Sequence, residues 1–252
     1  EYFHLNLIFG NCIEANMQRI QLGCELCDGH KISFLQHCNA EQIAMVNEAK
    51  TCSQYKKGQH IFYEGSLPLG IYCVSSGVIK LVRTNNDGKE QILRFSQAGD
   101  LLGFRALIAD EPLIATAICV EDTVACFIPK KVFIELIDTV PAIGKELLKA
   151  ICHDLGVVEE RVQSLAQKSV RERLAETLLF LHATFNMNGT GSEDIIHISL
   201  PREDIANIVG TATETVIRLL SEFKQDKLIE FEAKKIKLLN KEKLYKISRA
   251  SV

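Results

Sequence analysis

The sequence predicts an α+β protein: an N-terminal double-stranded β-helix (jelly-roll), one long helix, and a C-terminal winged helix-turn-helix. Three observations predict it. Short apolar runs separated by glycines fill residues 55–129, a heptad spacing of apolar residues covers 141–166, and two short helical patterns meet at Gly210. Many short strands with regular turn signals are typical of a roll or barrel. The heptad and the helix pair indicate α-helices.

Length and composition exclude several classes of protein. The chain has 252 residues, of which 47% are hydrophobic and 24% charged, with a mean hydropathy of +0.07. These values are those of a globular protein rather than a disordered or collagen-like one. No run approaches the roughly 18 consecutive apolar residues of a membrane span. The sequence starts at Glu1 without a basic, signal-like region. We therefore expect a cytoplasmic protein with no membrane partner.

The strand-like part is expected to form a β-roll domain over residues 41–140, after an N-terminal Cys-containing segment of residues 1–40. Asn86-Asp87-Gly88 lies between two apolar runs and predicts a β-hairpin, because Asp-Gly tolerates the positive φ of a tight turn. The apolar runs that we interpret as strands are 60–63, 70–74, 78–82 and 91–95.

A long dimerisation helix is predicted over residues 141–167. Apolar residues follow each other there at alternating intervals of three and four, as in the a/d seam of a coiled coil, so the segment is expected to pair with a second copy of the chain. The alternative is an amphipathic helix lying on the roll, which usually shows a broader apolar face. The seam residues are Leu148, Ile151, Leu155, Val158, Val162 and Leu165.

The remainder, residues 168–252, is expected to be the winged helix-turn-helix. Its helical patterns over 201–209 and 213–224 meet at Gly210, where such a motif needs a turn. A lysine-containing hairpin over 228–239 would be the wing. The segment carries 14 basic and 12 acidic residues, against 15 and 20 in the rest of the chain. This slight excess is weak support for a nucleic-acid surface.

The second helix of such a motif places its first turns in the major groove, where side chains reach base edges. Arginine donates two hydrogen bonds to guanine O6 and N7, and glutamate accepts a hydrogen bond from cytosine N4. The expected base-facing residues are Thr213, Glu214, Ile217 and Arg218. Candidate phosphate and flanking-backbone contacts are Arg202, Thr211, Thr215, Lys234 and Lys235. The alternative for the lysines is a solvated surface.

Together these parts resemble the Crp/Fnr family of bacterial transcription regulators over about residues 40–245. The resemblance implies a homodimeric sensor that binds a palindromic double-stranded DNA operator, with base reading by Glu214 and Arg218 and RNA polymerase as a further partner. Ile217 stands where some relatives carry a polar side chain. The residues that carry the resemblance are Lys57-Gly58, Gly65, Ser76-Gly77, Asp87-Gly88, Gly99-Asp100-Leu101-Leu102-Gly103-Phe104 and Thr213-Glu214-Thr215-Val216-Ile217-Arg218.

This chain lacks the residues with which some members of the resembling family bind a cyclic-nucleotide effector. Relatives that bind cyclic nucleotides carry Gly-Glu-Leu and then Arg-Ser or Arg-Ala, for the ribose and the phosphate. Here Phe104 replaces the glutamate, Leu113 and Ile114 cannot clamp a phosphate, and Arg105 is displaced. Cyclic AMP binding is therefore disfavoured.

Cysteines suggest a redox or oxygen signal instead. By the resemblance, Cys24, Cys27 and Cys126 match cluster ligands of the oxygen-sensing Fnr branch, whereas Ser33 stands where that branch has another cysteine. Cys12 would then complete the four thiolates of a [4Fe–4S] cluster, with Cys38 as the alternative.

Two other interpretations of the cysteines remain open. One is a zinc site, which His30 and His37 could join. The other is that the cysteines are simply buried thiols with no metal. Cysteines within apolar runs are expected to be small buried hydrophobic residues. These are Cys73, Cys119 and Cys152.

A β-roll metalloenzyme is the rival class of function. It would need clustered histidines and carboxylates on the strands, and the sequence lacks them. A cyclic-nucleotide-responsive regulator is the other alternative. We expect a DNA-binding regulator that is not an enzyme.

Overall fold

Strands and helices follow one another in the predicted order. The structure is a computed structural model that describes residues 18–27, 29, 33–85, 87–186, 195–196 and 199–249. Cys12 and His30 lie outside these ranges. The strands are β1 (Gln18–Ile20), β2 (Thr51–Tyr55), β3 (His60–Phe62), β4 (Gly70–Ser76), β5 (Ile79–Thr84), β6 (Glu90–Ser96), β7 (Leu101–Leu102), β8 (Thr116–Cys119), β9 (Thr123–Pro129), β10 (Ile195–Ile196), β11 (Ile229–Glu232) and β12 (Lys235–Leu238). The helices are α1 (Ala40–Ala49), α2 (Phe104–Ala109), α3 (Lys130–Thr139), α4 (Pro141–Gln167), α5 (Val170–Asn186), α6 (Arg202–Val209), α7 (Thr213–Gln225) and α8 (Lys241–Ser248).

The main sheet of the roll has the strand order β1-β2-β9-β4-β7. Strand β9 pairs antiparallel with β2 on one side and with β4 on the other, so that Cys126 lies opposite both Cys52 and Cys73. Directly paired residues of neighbouring strands share one face of a sheet. The register therefore places three cysteines in one row on the buried side.

The predicted hairpin between β5 and β6 is confirmed. Gly88 takes a φ of +76°, which is the left-handed conformation that the Asp-Gly pattern predicts. The Asn85 amide donates to the Lys89 carbonyl at 3.0 Å and closes the turn. Strands β3 to β6 coincide with the predicted runs to within two residues at each end.

Contacts divide the chain into two compact units. The first comprises residues 1–79 and 96–143, and its described core includes Val46, Ile71, Val74, Leu102 and Phe133, all fully buried. The second comprises residues 80–95 and 144–252, and its described core includes Leu174, Leu178, Val216, Phe223 and Leu244. The β5–β6 hairpin thus groups with the C-terminal elements.

Helix α4 begins at Pro141, where the missing amide hydrogen costs no helical hydrogen bond, and continues for 27 residues. Its length agrees with the prediction. None of the helices in the described ranges combines the length and the apolarity that crossing a membrane requires.

Candidate nucleic-acid interface and thiol site

A helix-turn-helix is formed by α6 and α7, which pack against each other. Five apolar residues of the two helices are buried: Ile205, Ala206, Val209, Val216 and Leu219. Gly210 ends α6 with a φ of +73°. A side chain there would be strained, and its Cβ would lie 3.1 Å from Leu165 Cδ2. The motif therefore depends on this glycine.

The outward face of α7 carries the predicted base-reading side chains. Glu214 is exposed, and Ile217 and the Arg218 side chain are 49% and 64% exposed. Thr213 and Thr215 are half-buried beside them. Glu214 and Arg218 are four residues apart and so project from one face of the helix. This face is polar, accessible and suited to hydrogen bonding with base edges.

Arg218 is held by a network of charges along α7. Its Nη1 lies 2.5 Å from Glu222 Oε1, and Glu222 Oε2 accepts from Arg171 Nη1 at 2.7 Å. Arg171 also reaches Asp226 at 2.7 Å and stacks over the Phe223 ring. Because Arg171 anchors the Glu222 carboxylate, the network fixes one side of the Arg218 guanidinium. Sequence reasoning did not identify Glu222 or Arg171.

Basic side chains flank this face. Arg202 lies over the Phe231 ring at 4.7 Å, and burial lowers the pKa of its guanidinium. Lys234 and Lys235 are exposed in the wing, which is the β11–β12 hairpin. Thr211 is half-buried, and its amide donates to the Ala206 carbonyl at 3.1 Å. All the predicted DNA-contacting residues thus belong to one unit of the protein.

A buried ion pair holds α6 on the β5–β6 hairpin within the same unit. Lys80 Nζ lies 2.6 Å from Asp204 Oδ1, and the two side chains are only 14% and 9% exposed. Gln91 donates to the Asn207 carbonyl, and Arg161 of α4 donates to the Ile208 carbonyl at 3.0 Å. The sequence offered no signal for the ion pair, since Asp204 alone fits an ordinary acidic first turn of a helix.

The six seam residues of α4 form a continuous exposed row, which we call the α4 stripe. Leucine, isoleucine and valine at these positions are 38–61% exposed in the single chain: Leu148, Ile151, Leu155, Val158, Val162 and Leu165. An apolar stripe of this kind is typical of a surface that pairs with another helix.

Three of the four residues compared above with a cyclic-nucleotide site are apolar. Phe104 and Leu113 are buried at 5% and 8% exposure, whereas Ile114 is 46% exposed. Arg105 forms an exposed ion pair with Glu111 at 3.3 Å. None of these four residues offers a charge to a ribose phosphate inside the roll.

A small cavity in the roll is lined by four cysteines. It has a volume of about 10 Å³, and Cys24, Cys27, Cys73 and Cys126 contribute to its wall together with Leu35, Lys50, Ser75 and Ile128. We call it the thiol cavity. Lys50 Nζ donates to Cys24 Sγ at 2.8 Å, and Cys27 Sγ lies 3.1 Å from Ser75 Oγ. Burial and the nearby Cys27 and Cys24 raise the pKa of Cys73 to about 12.

Cys126 forms a disulfide with Cys52 across β2 and β9. Sequence reasoning did not single out Cys52, because only the register shows that it lies opposite Cys126. The placement of Cys73 changes its interpretation: it is buried, as expected, but it lines the thiol cavity rather than merely filling core volume. Cys119 is buried as expected, whereas Cys152 is exposed on α4 and was expected wrongly to be buried.

The remaining candidates for a metal site are placed less favourably. Ser33 is buried at 1% exposure and accepts from the Leu35 amide, so it caps a short helical turn. Cys38 ends that turn, and burial together with Cys24 raises its pKa to about 11. His37 is exposed. Cys38 is not among the residues that line the thiol cavity.

A [4Fe–4S] cluster does not fit this arrangement. Cluster ligands are thiolates, and the Cys126 sulfur is bonded to Cys52. The cavity has room for about one water-sized species. Within the described ranges, no group of three or more His, Cys, Asp or Glu side chains is placed to hold a metal ion.

Comparison with known families and proteins agrees with this architecture. Residues 52–140 match the cyclic nucleotide-binding domain, and residues 172–247 match the Crp-like helix-turn-helix domain. The fumarate and nitrate reduction regulatory protein of Vibrio cholerae is 29% identical over 93% of this chain and 95% of its own length. Electron transport regulator A of Shewanella oneidensis is 30% identical over 84% of each chain.

Solved structures show the same fold. FixK2 from Bradyrhizobium japonicum superposes with a TM-score of 0.70 at 23% identity, covering 81% of this chain and 100% of that one. TTHA1359, a regulator from Thermus thermophilus, superposes with a TM-score of 0.67 at 22% identity, covering 80% and 100%. With these relatives and the helix-turn-helix, the chain belongs to the Crp/Fnr family and is a DNA-binding transcription regulator rather than an enzyme.

Proposed function

We propose that the protein acts as a homodimer that reads a palindromic operator through two copies of α7. The observation that carries this proposal is the pair Glu214 and Arg218, exposed on one face of the second helix of the motif. Arg218 would fork onto a guanine and Glu214 would accept from a neighbouring cytosine. Ile217 lies between them and would make an apolar contact, for which a thymine methyl group is suitable.

Phosphate contacts would set the register of α7 on the duplex. Arg202 begins α6, Thr211 lies between α6 and α7, Thr215 lies in the first turn of α7, and the wing presents two lysines. Contacts of this kind position a protein without reading the sequence. The wing lysines are Lys234 and Lys235.

Dimerisation through the α4 stripe is supported by its exposure in the single chain. Pairing two such stripes would remove a long apolar surface from water. Val158, near the middle of the stripe, is uncharged, so no charge at this position opposes pairing. The dimer should therefore form without an effector, and RNA polymerase is the protein partner that we expect at a promoter.

A redox or oxygen signal acting through the cysteine site is the second part of the proposal. Cys24, Cys27 and Cys126 meet at the thiol cavity, which supports a common site for the cysteines that sequence reasoning selected. The names of the similar proteins refer to fumarate and nitrate reduction and to electron transport. By contrast, the buried Phe104 disfavours cyclic AMP as the effector.

The experiment that tests DNA reading is a gel shift with the full chain and a selected palindromic duplex. We expect a single complex with two chains per duplex, and a duplex in which one half-site is scrambled should bind at least tenfold more weakly. Equal binding to both duplexes would contradict the proposal. The gel shift measures only affinity and stoichiometry, so its interpretation does not require the dimensions of the protein–DNA interface.

A further inference from the structure

A pocket of about 200 Å³ lies within the second compact unit, where the β5–β6 hairpin, α4, α5 and the end of α6 meet. We call it the α4–α5 pocket. Its wall is mostly apolar, and Phe95, Val157, Leu165 and Phe180 contribute to it. Pockets for drug-sized ligands are usually about 300–1,000 Å³ and apolar, with a few polar groups that orient the ligand. The size and lining of this pocket therefore suit a smaller ligand with an apolar body.

Two arginines in the wall of this pocket have no acidic partner. Arg161 donates from Nη1 to the Leu93 carbonyl at 2.9 Å and from Nη2 to the Ile208 carbonyl at 3.0 Å. Arg173 donates to three backbone carbonyls at 2.8–3.3 Å. Among the described residues, no carboxylate forms an ion pair with either arginine. Burial lowers the pKa of the Arg161 guanidinium, which is the direction expected for a charge without a carboxylate beside it.

The other charges at the pocket are mostly paired. Glu176 accepts from Lys168 Nζ at 2.8 Å, and Arg94 Nη1 lies 3.2 Å from Asp154 Oδ2. Glu160, which also lines the pocket, is exposed. The two arginines without acidic partners outweigh this single carboxylate, so the wall has an excess of positive charge that favours an anionic ligand.

We propose that the α4–α5 pocket binds a small amphipathic anion, with an apolar body of about ten non-hydrogen atoms that ends in one carboxylate. The carbonyl contacts use two of the five N–H groups of Arg161 and three of the five of Arg173, so both retain donors for a carboxylate. The apolar body would lie against Val157 and Phe180. The site lies outside the roll and is independent of the redox signal proposed above.

The same arginines connect the pocket to the turn of the helix-turn-helix. Arg161 holds the carbonyl of Ile208, and Arg173 holds those of Val209 and Gly210, where α6 ends. A carboxylate is a stronger acceptor for a guanidinium than a neutral carbonyl is. A bound anion should therefore draw the arginines away from the end of α6 and loosen the turn, which lowers the affinity for operator DNA.

The test is calorimetric titration of the purified full chain with octanoate, and with octanamide as an uncharged ligand of the same shape. Wild-type protein should bind one octanoate per chain with a Kd of about 1 mM or lower. Octanamide should bind about tenfold more weakly or not at all, because it cannot form the charged contact. Arg161→Met should lose about the same factor for octanoate. Arg105→Met removes an exposed arginine that does not line the pocket and should bind as wild type does.

A gain of affinity guards against a variant that merely misfolds, since Arg161 also holds α6. Glu160→Gln removes the negative charge from the wall and should strengthen octanoate binding about two- to fivefold. Glu159→Gln makes the same change at an exposed neighbour that does not line the pocket, and it should leave the affinity unchanged. The site is disproved if wild type binds no octanoate, if octanamide binds equally well, or if the two glutamine variants behave alike.

Two further measurements test the occupant and its consequence. Octanoate binding to Ile151→Asp, a variant designed to be monomeric, without binding to wild type would show that a second copy of the chain fills the pocket, and would overturn the proposal. Operator affinity at saturating octanoate should fall about fivefold or more, and unchanged affinity would reject the coupling to the turn. The calorimetric result does not depend on operator binding, so failure of the DNA-reading proposal is distinguishable from failure of this one.

Discussion

Arg218 is the side chain on which the predicted base readout depends, since it combines high exposure with a fixed position on α7. Arg218→Ala should cost about 1–3 kcal/mol per half-site and relax the preference for guanine at one base pair. Binding-site selection with the wild type and the variant measures both effects. A uniform loss of affinity with unchanged base preferences would make Arg218 a backbone contact and contradict the role assigned to it.

Arg202 supplies the matched comparison, because it is also an arginine of the motif but lies over Phe231 at the start of α6. Arg202→Ala should weaken binding to all sequences alike and reduce the salt dependence by about one ion per half-site. Titrations at several salt concentrations, with operator and random duplexes, check this. A change of base preference in this variant would instead place Arg202 at a base edge.

Glu222 should determine the selectivity of Arg218 for operator DNA over random DNA. Its carboxylate is anchored by Arg171 and holds one side of the Arg218 guanidinium. Glu222→Gln weakens that hold and removes a negative charge beside the face proposed to contact DNA. We expect higher affinity for random DNA and a several-fold lower ratio of operator to random affinity. Glu242→Gln on α8 makes the same charge change and should leave the ratio unaltered; equal ratios in both variants would exclude the positioning role.

At the scale of elements, α4 carries the prediction about assembly. Ile151→Asp or Val158→Asp would bury a charge against its symmetry mate and weaken the dimer by several kcal/mol. Sedimentation should show monomers for both variants, whereas Ala150→Asp, exposed on α4 outside the stripe, should stay dimeric. A monomeric wild type without effector would show that the stripe has another role.

The contact between α6 and the β5–β6 hairpin makes a second prediction at this scale. Removing one partner of a buried ion pair costs about 3–5 kcal/mol. Lys80→Met should cost more unfolding free energy than Asp204→Asn, because Glu90 lies 3.6 Å from Lys80 and can still accompany it. Denaturant unfolding checks the order. The double variant Lys80→Met/Asp204→Leu should recover much of the loss, and strictly additive losses would argue against a coupled pair.

At the scale of the whole molecule, periodic patterns made the fold predictable. Glycines at turns marked the strands, the Asp87-Gly88 pair located a hairpin, and the three–four spacing located α4 and its exposed stripe. These signals are local, so a single sequence contains them. The residues on the outward face of α7 were predictable for the same reason, since helical spacing fixes which side chains share a face.

Features that depend on long-range pairing could not be predicted. The roles of Cys52 and Cys73 follow from the strand register around Cys126, and pairs that are 74 and 53 positions apart have no local signature of contact. The Lys80–Asp204 pair joins residues 124 positions apart. Such contacts arise only once the sheet and the motif are assembled, which is why sequence reasoning interpreted Cys73 as packing and missed the contact of Arg171 with Glu222.

The most direct test of the central claim is binding-site selection from random duplex DNA with the wild-type protein. A dimer that places two copies of α7 on one face of the duplex requires half-sites about 34–36 Å apart, centre to centre. We predict a palindrome with that spacing and a G·C pair in each half-site. Enrichment of a single, non-repeated half-site, or of no sequence at all, would contradict the claim.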